Sequence, residues 1–394
     1  MKAALTACAA QAKARMDMLP EGWSEIALED LANVERGKFS ARPRNDPKFY
    51  NGTTPFVQTG DVSSSDTYLR EYTQTLNDEG VKVSKIFPKG TILVTIAANI
   101  GDSAIAEFDV ACPDSVVGIQ CYQEKSNNIW LKFKIDTIKK NLDNEAGKNA
   151  QKNINLQLLK PLKILTPPLP EQEKIAAVLS TWDKAISTTD ALLANCRQQK
   201  KALMQQLLTG KRRLPDFTGE WYHACLGKIA HIEKGKPLNG SSIIKGEIPV
   251  IAGGKTVSAW HNDFTHNTVI TVSASGAYAG FVSFHKYKIW ASDCSVINGI
   301  CNISLSQYLY YLLLFKQKEI YSLQTGGAQP HVYPKDLAKL TCSLPPLDEQ
   351  RAIAAVLDAA DREIVLLEQK AARLREEKKA LMQQLLTGKR RVRL

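Results

Sequence analysis

No stretch of this 394-residue chain holds the ~18–20 uninterrupted apolar residues that a membrane-spanning helix needs. The most apolar runs, Thr91–Ala98 and Tyr308–Phe315, have only the length of a buried strand or a helix face. Zinc-type spacing is missing too. The eight cysteines, at 8, 112, 121, 196, 225, 294, 301 and 342, form no Cys-x-x-Cys pair and no Cys/His block. That pattern suits reduced, structural thiols in a cytoplasm and gives no metal site. All six histidines fall in the second half without a His-x-x-x-His spacing, so none is assigned to catalysis. Gly254-Lys255-Thr256 ends like a phosphate-binding loop, but the glycine required five residues before Gly254 is Pro249. An amino-methyltransferase needs an Asn/Asp-Pro-Pro-aromatic loop to hold a flipped base. Here the pairs read Thr166-Pro167-Pro168-Leu169 and Leu344-Pro345-Pro346-Leu347, so neither can serve as that loop. The Ala-rich start, residues 1–19, is broken by Thr6 and Gln11 and followed by Lys13 and Arg15, which argues against a secretion signal.

What is present is ordinary in amount: 44% hydrophobic and 23% charged residues, a composition that excludes wholesale disorder. Its arrangement is the informative part. Lys200 to Arg213 reads KKALMQQLLTGKRR, and the same fourteen letters return 178 residues on, from Lys378 to Arg391. At that offset Pro167–Gln172 faces Pro345–Gln350, and Ile175–Leu179 recurs at Ile353–Leu357. Ala150-Gln151 matches Ala328-Gln329, and Leu159 and Leu162 match Leu337 and Leu340. A second register, 198 residues apart, aligns Trp23, Leu28, Leu31, Gly37 and Lys38 with Trp221, Leu226, Ile229, Gly235 and Lys236. Internal repetition at this scale means a duplicated unit. The plan is domain, helix, domain, helix, with near-identical helices and diverged domains.

Each Pro-rich segment is followed by acidic residues and an apolar-periodic run, a good helix start because carboxylates meet the positive end of the helix dipole. Each run stops at Thr-Gly-Lys-Arg-Arg, with Gly210 or Gly388 as the cap and cations at the negative end. Between these limits the apolar spacing alternates four and three. The first run gives Ile175, Leu179, Trp182, Ile186, Thr189, Leu193, Cys196, Lys200, Leu203 and Leu207. The second gives Ile353, Leu357, Ala360, Ile364, Leu367, Ala371, Leu374, Lys378, Leu381 and Leu385. A heptad seam sustained for over four heptads predicts a coiled coil. The alternative is that each helix packs only on its own domain, but about 40 residues make a rod of roughly 60 Å, longer than such a domain is wide. Parallel helices would require the second domain, with a radius of gyration near ~14 Å, to bridge that rod, so the pairing is expected to be antiparallel with a pseudo-twofold.

The predicted boundaries are 1–19, 20–165, 166–213, 214–343 and 344–394, and the fold class is α/β. Strands are expected at Pro55–Gln58, Thr91–Ile96, Val116–Tyr122, Ile248–Ala252, Thr268–Ser273 and Ser295–Asn298. Segment 20–165 carries 18 basic and 19 acidic residues, so the net charge of +11 lies mainly in the helices and their ends. Within that balanced segment, Arg36, Lys38, Arg42, Arg44 and Lys48 crowd one loop beside Phe39, Phe49 and Tyr50. Such interleaving suits phosphate and base-edge contact; a merely solvated loop is the plainer reading. The equivalent stretch of the second domain holds Lys234, Lys236 and Asn239 after the shared glycine, and Gly253-Gly254-Lys255 adds a further polar loop.

Taken in order and occurring twice, Gln151/Gln329, Pro-Pro-Leu-x-Glu-Gln, Ile-Ala-Ala-Val-Leu and Lys-Lys-Ala-Leu-Met-Gln-Gln-Leu-Leu-Thr-Gly resemble the specificity subunit of type I restriction–modification systems. The likeness spans nearly the whole chain, specific in the helices and weak in the domains. It implies two target recognition domains, each reading half of a split double-stranded DNA sequence, and helices that separate them and dock two modification subunits. It also implies no cofactor in this chain: AdoMet, ATP and Mg belong to the modification and restriction subunits, in the cytoplasm and with no membrane. Two rivals are a self-contained enzyme, disfavoured by the missing loops, and a coiled-coil scaffold that never touches DNA.

Overall fold

The computed structural model describes residues 19–146, 154–239 and 243–393. The N-terminal segment before Leu19 and Gln151 of the repeated motif lie outside the described residues. Contacts divide the chain into two compact units at Thr189/Asp190 and Lys370/Ala371, so each unit takes one globular domain and a part of each long helix. No described helix is long and apolar enough to cross a membrane.

The first unit opens with β1 (Ser24–Ala27), a short turn of helix at Leu28–Leu31 and β2 (Ala32–Arg36). Then come β3 (Tyr50–Phe56), β4 (Tyr68–Leu69), β5 (Gln74–Leu76), β6 (Ile86–Phe87), β7 (Ile92–Thr95) and β8 (Ser103–Ala106). The last strands are β9 (Val110–Ala111), β10 (Val116–Cys121) and β11 (Lys163–Thr166). β2-β10-β7-β8-β4 form one sheet, β5-β3-β9-β6 a second, and β1 pairs with β11. β7 and β8 are buried at every position, which is why Thr91–Ile96 reads as a continuous apolar run.

The second unit repeats the frame. β12 (Tyr222–Cys225) pairs with β19 (Thr341–Leu344), and a six-stranded sheet runs β13-β18-β16-β17-β14-β15. Its members are β13 (Ala230–Lys234), β14 (Ile248–Ile251), β15 (Ala259–His261), β16 (His266–Ser273), β17 (Val282–Ala291) and β18 (Cys294–Gly299). The weak repeat at the domain edges is the same ladder twice: Ser24 opposes Thr166 as Tyr222 opposes Leu344. Leu28 N donates to Leu162 O (3.0 Å), as Leu226 N does to Leu340 O (2.8 Å).

The two long helices are Leu169–Leu207 and Leu347–Leu385, 39 residues each. Gly210 and Gly388 follow at φ 70° and 73°, the left-handed backbone that ends a helix without a Cβ clash. All twenty positions of the expected seam are buried or half-buried; none is exposed. The pairing is antiparallel in each unit. Ile175, Ala176 and Leu179 share the first unit's core with Leu385 and Leu386. Met204, Leu207 and Leu208 share the second unit's core with Ile353, Ala354 and Leu357. The two seam lysines are matched rather than misplaced. Lys378 Nζ donates to Asp183 beneath the Phe133 ring, 4.6 Å away, and Lys200 Nζ donates to Asp361 (2.5 Å) beside Tyr311.

The Glu-Gln pair of the repeated motif is buried in both copies and plays the same part in each. Gln172 Nε2 donates to the carbonyls of Pro167 and Lys125 while its Oε1 accepts from Asn127 N. Gln350 does the same with Pro345, Ile303 and Leu305 N. Glu171 and Glu349 each receive a bidentate guanidinium, from Arg391 at 2.6 and 2.8 Å and from Arg213 at 2.5 and 2.6 Å. Bidentate, charge-assisted bonds of this kind fix geometry as well as energy. The arginine ending each helix thus locks onto the glutamate opening the other. Trp23 Nε1 also donates to Glu171 (3.0 Å), whereas the buried Trp221 Nε1 has no partner, so the second clamp carries one bond fewer.

Some contacts belong to one unit only. Lys134, buried in the first domain, donates to Leu386 O (2.7 Å), and burial pushes its ammonium down to about 8. In the second unit β17 buries His285 against Thr271 Oγ1 (2.9 Å), and desolvation lowers the imidazole from 6.5 to about 4. Between those values the unfolded chain binds a proton that the fold refuses. Stability therefore falls as pH drops from 6.5 toward 4, by up to about 3 kcal/mol at ~1.4 kcal/mol per pKa unit. Unfolding curves at pH 7 and 4.5 should show this loss shrinking in His285→Gln; an equal loss in both proteins would refute the assignment.

Candidate nucleic-acid interface

In both units the shared glycine sits where β2 or β13 leaves its sheet. A Cβ on Gly37 would fall on the carbonyls of Cys112 and Pro113, and one on Gly235 on those of Ala291 and Ser292. Only glycine admits this backbone approach. The chain then emerges as a polar loop at the same place in both domains.

In the first unit Lys38, Arg42, Arg44 and Lys48 are exposed on that loop, and Arg36 is exposed at the end of β2 that leads into it. Arg36 Nε donates to Asp114 O (2.5 Å) and Arg44 pairs with the Asp114 carboxylate (2.8 Å). Lys48 lies 3.3 Å from Asp46 and 4.9 Å above the Phe49 ring. Arg42 turns back onto its own backbone, donating to Ala41 O at 2.7 Å. The interleaved aromatics have a different role from base contact. Phe39 and Phe49 are 4% and 9% exposed, and with Phe56 they form a core cluster against which Tyr50 packs. They anchor the loop from beneath, with Phe39 and Phe56 ring centres 4.9 Å apart, because burying aromatic area outweighs leaving it for a partner.

In the second unit Lys234, Lys236 and Asn239 are exposed along the corresponding segment. Lys236 lies 5.3 Å over Trp290, whose Nε1 donates to Lys236 O (3.0 Å). Lys255 lies 4.8 Å over Tyr278 and 5.4 Å over Phe281. Lys234 and Gly235 line a cavity together with Asp293 and His331, two residues that sequence reading missed. Asp293 accepts a hydrogen bond from Ser275 Oγ. The structure also puts Gly253 of the Gly-Gly-Lys turn beside Asp293, which joins two segments that the sequence keeps far apart.

Seven described cysteines are free, and among the described residues no group of three His, Cys, Asp or Glu side chains is placed to hold a metal ion. Five cations around Gly37 and four polar side chains around Gly235 and Gly254 thus make two related, mainly basic rims on dissimilar loops.

Comparison with known proteins agrees with this duplicated plan. The sequence model of the type I restriction modification DNA specificity domain matches twice, at residues 20–195 and 218–376. The chain is 27% identical over 417 residues to the MjaX specificity subunit of Methanocaldococcus jannaschii, covering 96% of both chains. It is 20% identical over 369 residues to the EcoprrI specificity subunit of Escherichia coli, covering 88% of this chain and 89% of that one. Among solved structures, the type I restriction–modification S subunit from M. genitalium superposes with a TM-score of 0.67 at 17% identity, over 93% of this chain and 99% of that one.

Proposed function

The chain belongs to the type I restriction–modification DNA specificity family, and from that premise we propose that it reads a bipartite, asymmetric duplex DNA target with one half-site per unit. The two long helices set the distance between half-sites and dock two modification subunits. The chain itself is a non-catalytic, cytoplasmic subunit. AdoMet, ATP and magnesium act on the modification and restriction subunits that join it.

The observation carrying this reading is the repetition of one frame beneath two different surfaces. The Arg–Glu clamp, the Gln brace and the Lys–Asp seam pair recur at one offset, while the loops that follow the shared glycine differ. A duplicated frame supplies two readers for two half-sites, and unlike loops make the two half-sites unlike. Docking has its own support in the second unit. Val365 and Leu366, 47% and 64% exposed on the second long helix, line an open apolar groove with Phe284, Tyr287 and Tyr310. Contiguous exposed apolar surface marks a partner site.

Selection from a random-sequence duplex pool, with the modification subunit present, tests the proposal. Two short, dissimilar blocks at a fixed separation are expected; a single block or a perfect palindrome would sink it. The basic rim has a separate test. If Arg44 leaves Asp114 to neutralise a phosphate, Arg44→Ala flattens the plot of log K against log salt by ~0.9, nearly equally on all sequences. An unchanged slope would return that loop to a merely solvated surface.

A further inference from the structure

A cavity of about 230 Å³ opens beside the second unit's polar loop, lined by Lys234, Gly235, Asp293, Ser295, His331 and Tyr333 among others. Its floor and rim come from segments far apart in sequence. Ser295 on β18 opposes Lys234 on β13, while its neighbour Cys294 packs into the core with Val296. Alternation along the strand therefore puts Ser295 and Lys234 on one face. Ser295 is 1% exposed, and its hydroxyl finds no hydrogen-bond partner among the described residues. His331 and Tyr333 stack with ring centres 6.0 Å apart.

Asp293 stands exposed at the start of β18, and its carboxylate is held in place from two sides. Ser275 Oγ donates to it, and Gly253 approaches so closely that a Cβ there would lie 3.0 Å from Asp293 Oδ2. In the first unit the carboxylate on the turn facing the shared glycine, Asp114, is neutralised by Arg44. Among the described residues Asp293 is held by a hydroxyl and by no cation.

An ionised carboxylate is an acceptor only, and next to a polyanion it is repelled by phosphate. It is tolerated there if it meets a donor. In the major groove guanine and thymine present acceptors, adenine sets an N7 acceptor beside its amino group, and cytosine presents the N4 amino donor. We propose that this cavity takes the edge of a cytosine in the second half-site, with Asp293 accepting from its exocyclic amino group and Lys234 and Lys236 on the flanking phosphates. Ser275 is a positioning residue that aims the carboxylate. The proposal rests on the DNA-reading function above.

The test is selection from a random-sequence duplex pool by the complex of this chain with a modification subunit, for the wild type, Asp293→Asn and Ser275→Ala. The wild type should select cytosine at one position of the block belonging to residues 214–343. Asp293→Asn should lose that preference by roughly 5- to 150-fold while every other position stays. Ser275→Ala should give a smaller loss at the same position, and it keeps the test open should Asp293→Asn melt early. An unchanged motif in both variants, or no selected cytosine in that block, overturns the proposal. A wild-type complex that selects no sequence at all would instead overturn the DNA-reading function beneath it.

Discussion

Replacing residues 20–165 by the first domain of another family member will change one half of the selected DNA sequence and leave the other half as it was. The frame makes this expected. The incoming domain needs only the β1–β11 ladder and, facing Gln172, a backbone carbonyl and an N–H placed as Lys125 O and Asn127 N are. The helical surface it lands on is Ile175, Leu179 and Leu385, residues left in place by the exchange. Native side-chain contacts such as Lys134 to Leu386 O and Thr67 to Asp183 will be lost, and the second unit shows the frame working without the first of them, since Leu312 occupies the position equivalent to Lys134. The effect on targeting is large. Specific protein–DNA complexes are typically 10³- to 10⁷-fold tighter than non-specific ones, at ~1–3 kcal/mol per mismatched pair, so exchanging several base contacts abolishes binding to the old half-site. Sequencing the DNA selected by the chimera in complex with the modification subunit checks it. A change in both halves would mean that the two units do not read separately.

How much of this was legible beforehand depends on the range of the interactions involved. The helices were legible to their caps because heptad spacing, Pro-Pro starts and Gly stops are local signals, and because the repeat states them twice. The antiparallel order followed from connectivity alone. The Glu171 and Glu349 clamps were not foreseen, although their arginines belong to the repeated fourteen residues, since a charge run gives no hint of which member is buried against a carboxylate 136 or 220 residues away. β17 escaped for another reason. Its sequence VSFHKYKIWA mixes three cationic or imidazole side chains into the strand, and buries His285 where alternation would suggest a polar face. Phe39 and Phe49 misled in the opposite sense. Aromatics between cations look like part of a phosphate and base-edge contact surface in one dimension, and only the cluster with Phe56 reveals them as the loop's underside. Asp293 was invisible because its surroundings, Gly253, Ser275 and His331, lie on separate turns.

A circularly permuted chain should fold and keep its target. The end of the second long helix meets the first domain through contacts that the end of the first helix makes in the second unit. Arg391 donates to Glu171 and to Glu21 O (2.8 Å), as Arg213 donates to Glu349 and to Gly219 O (2.9 Å). Gly388 lies against Pro20 and Gly210 against Trp221, with Arg391 and Arg213 centred 6.0 and 5.7 Å from Trp23 and Trp221. At one junction the peptide runs on from Arg213 into Leu214-Pro215; at the other, Arg391 stands beside Leu19-Pro20 with no such link described. Joining Arg391 to Leu19 by a short linker, and reopening the chain between Pro215 and Thr218, moves the break from one junction to its equivalent. Pro215, Asp216 and Thr218 are exposed, and cuts at exposed connections are generally tolerated. The clamps at both ends survive, because Arg213 and Glu349 are held by side-chain bonds and not by continuity of the cut loop. Cooperative thermal unfolding and an unchanged selected sequence are the expected results. An insoluble or non-cooperative product would show that the two junctions are not interchangeable, and that continuity through Leu214–Glu220 holds the second unit in a way the clamp alone does not.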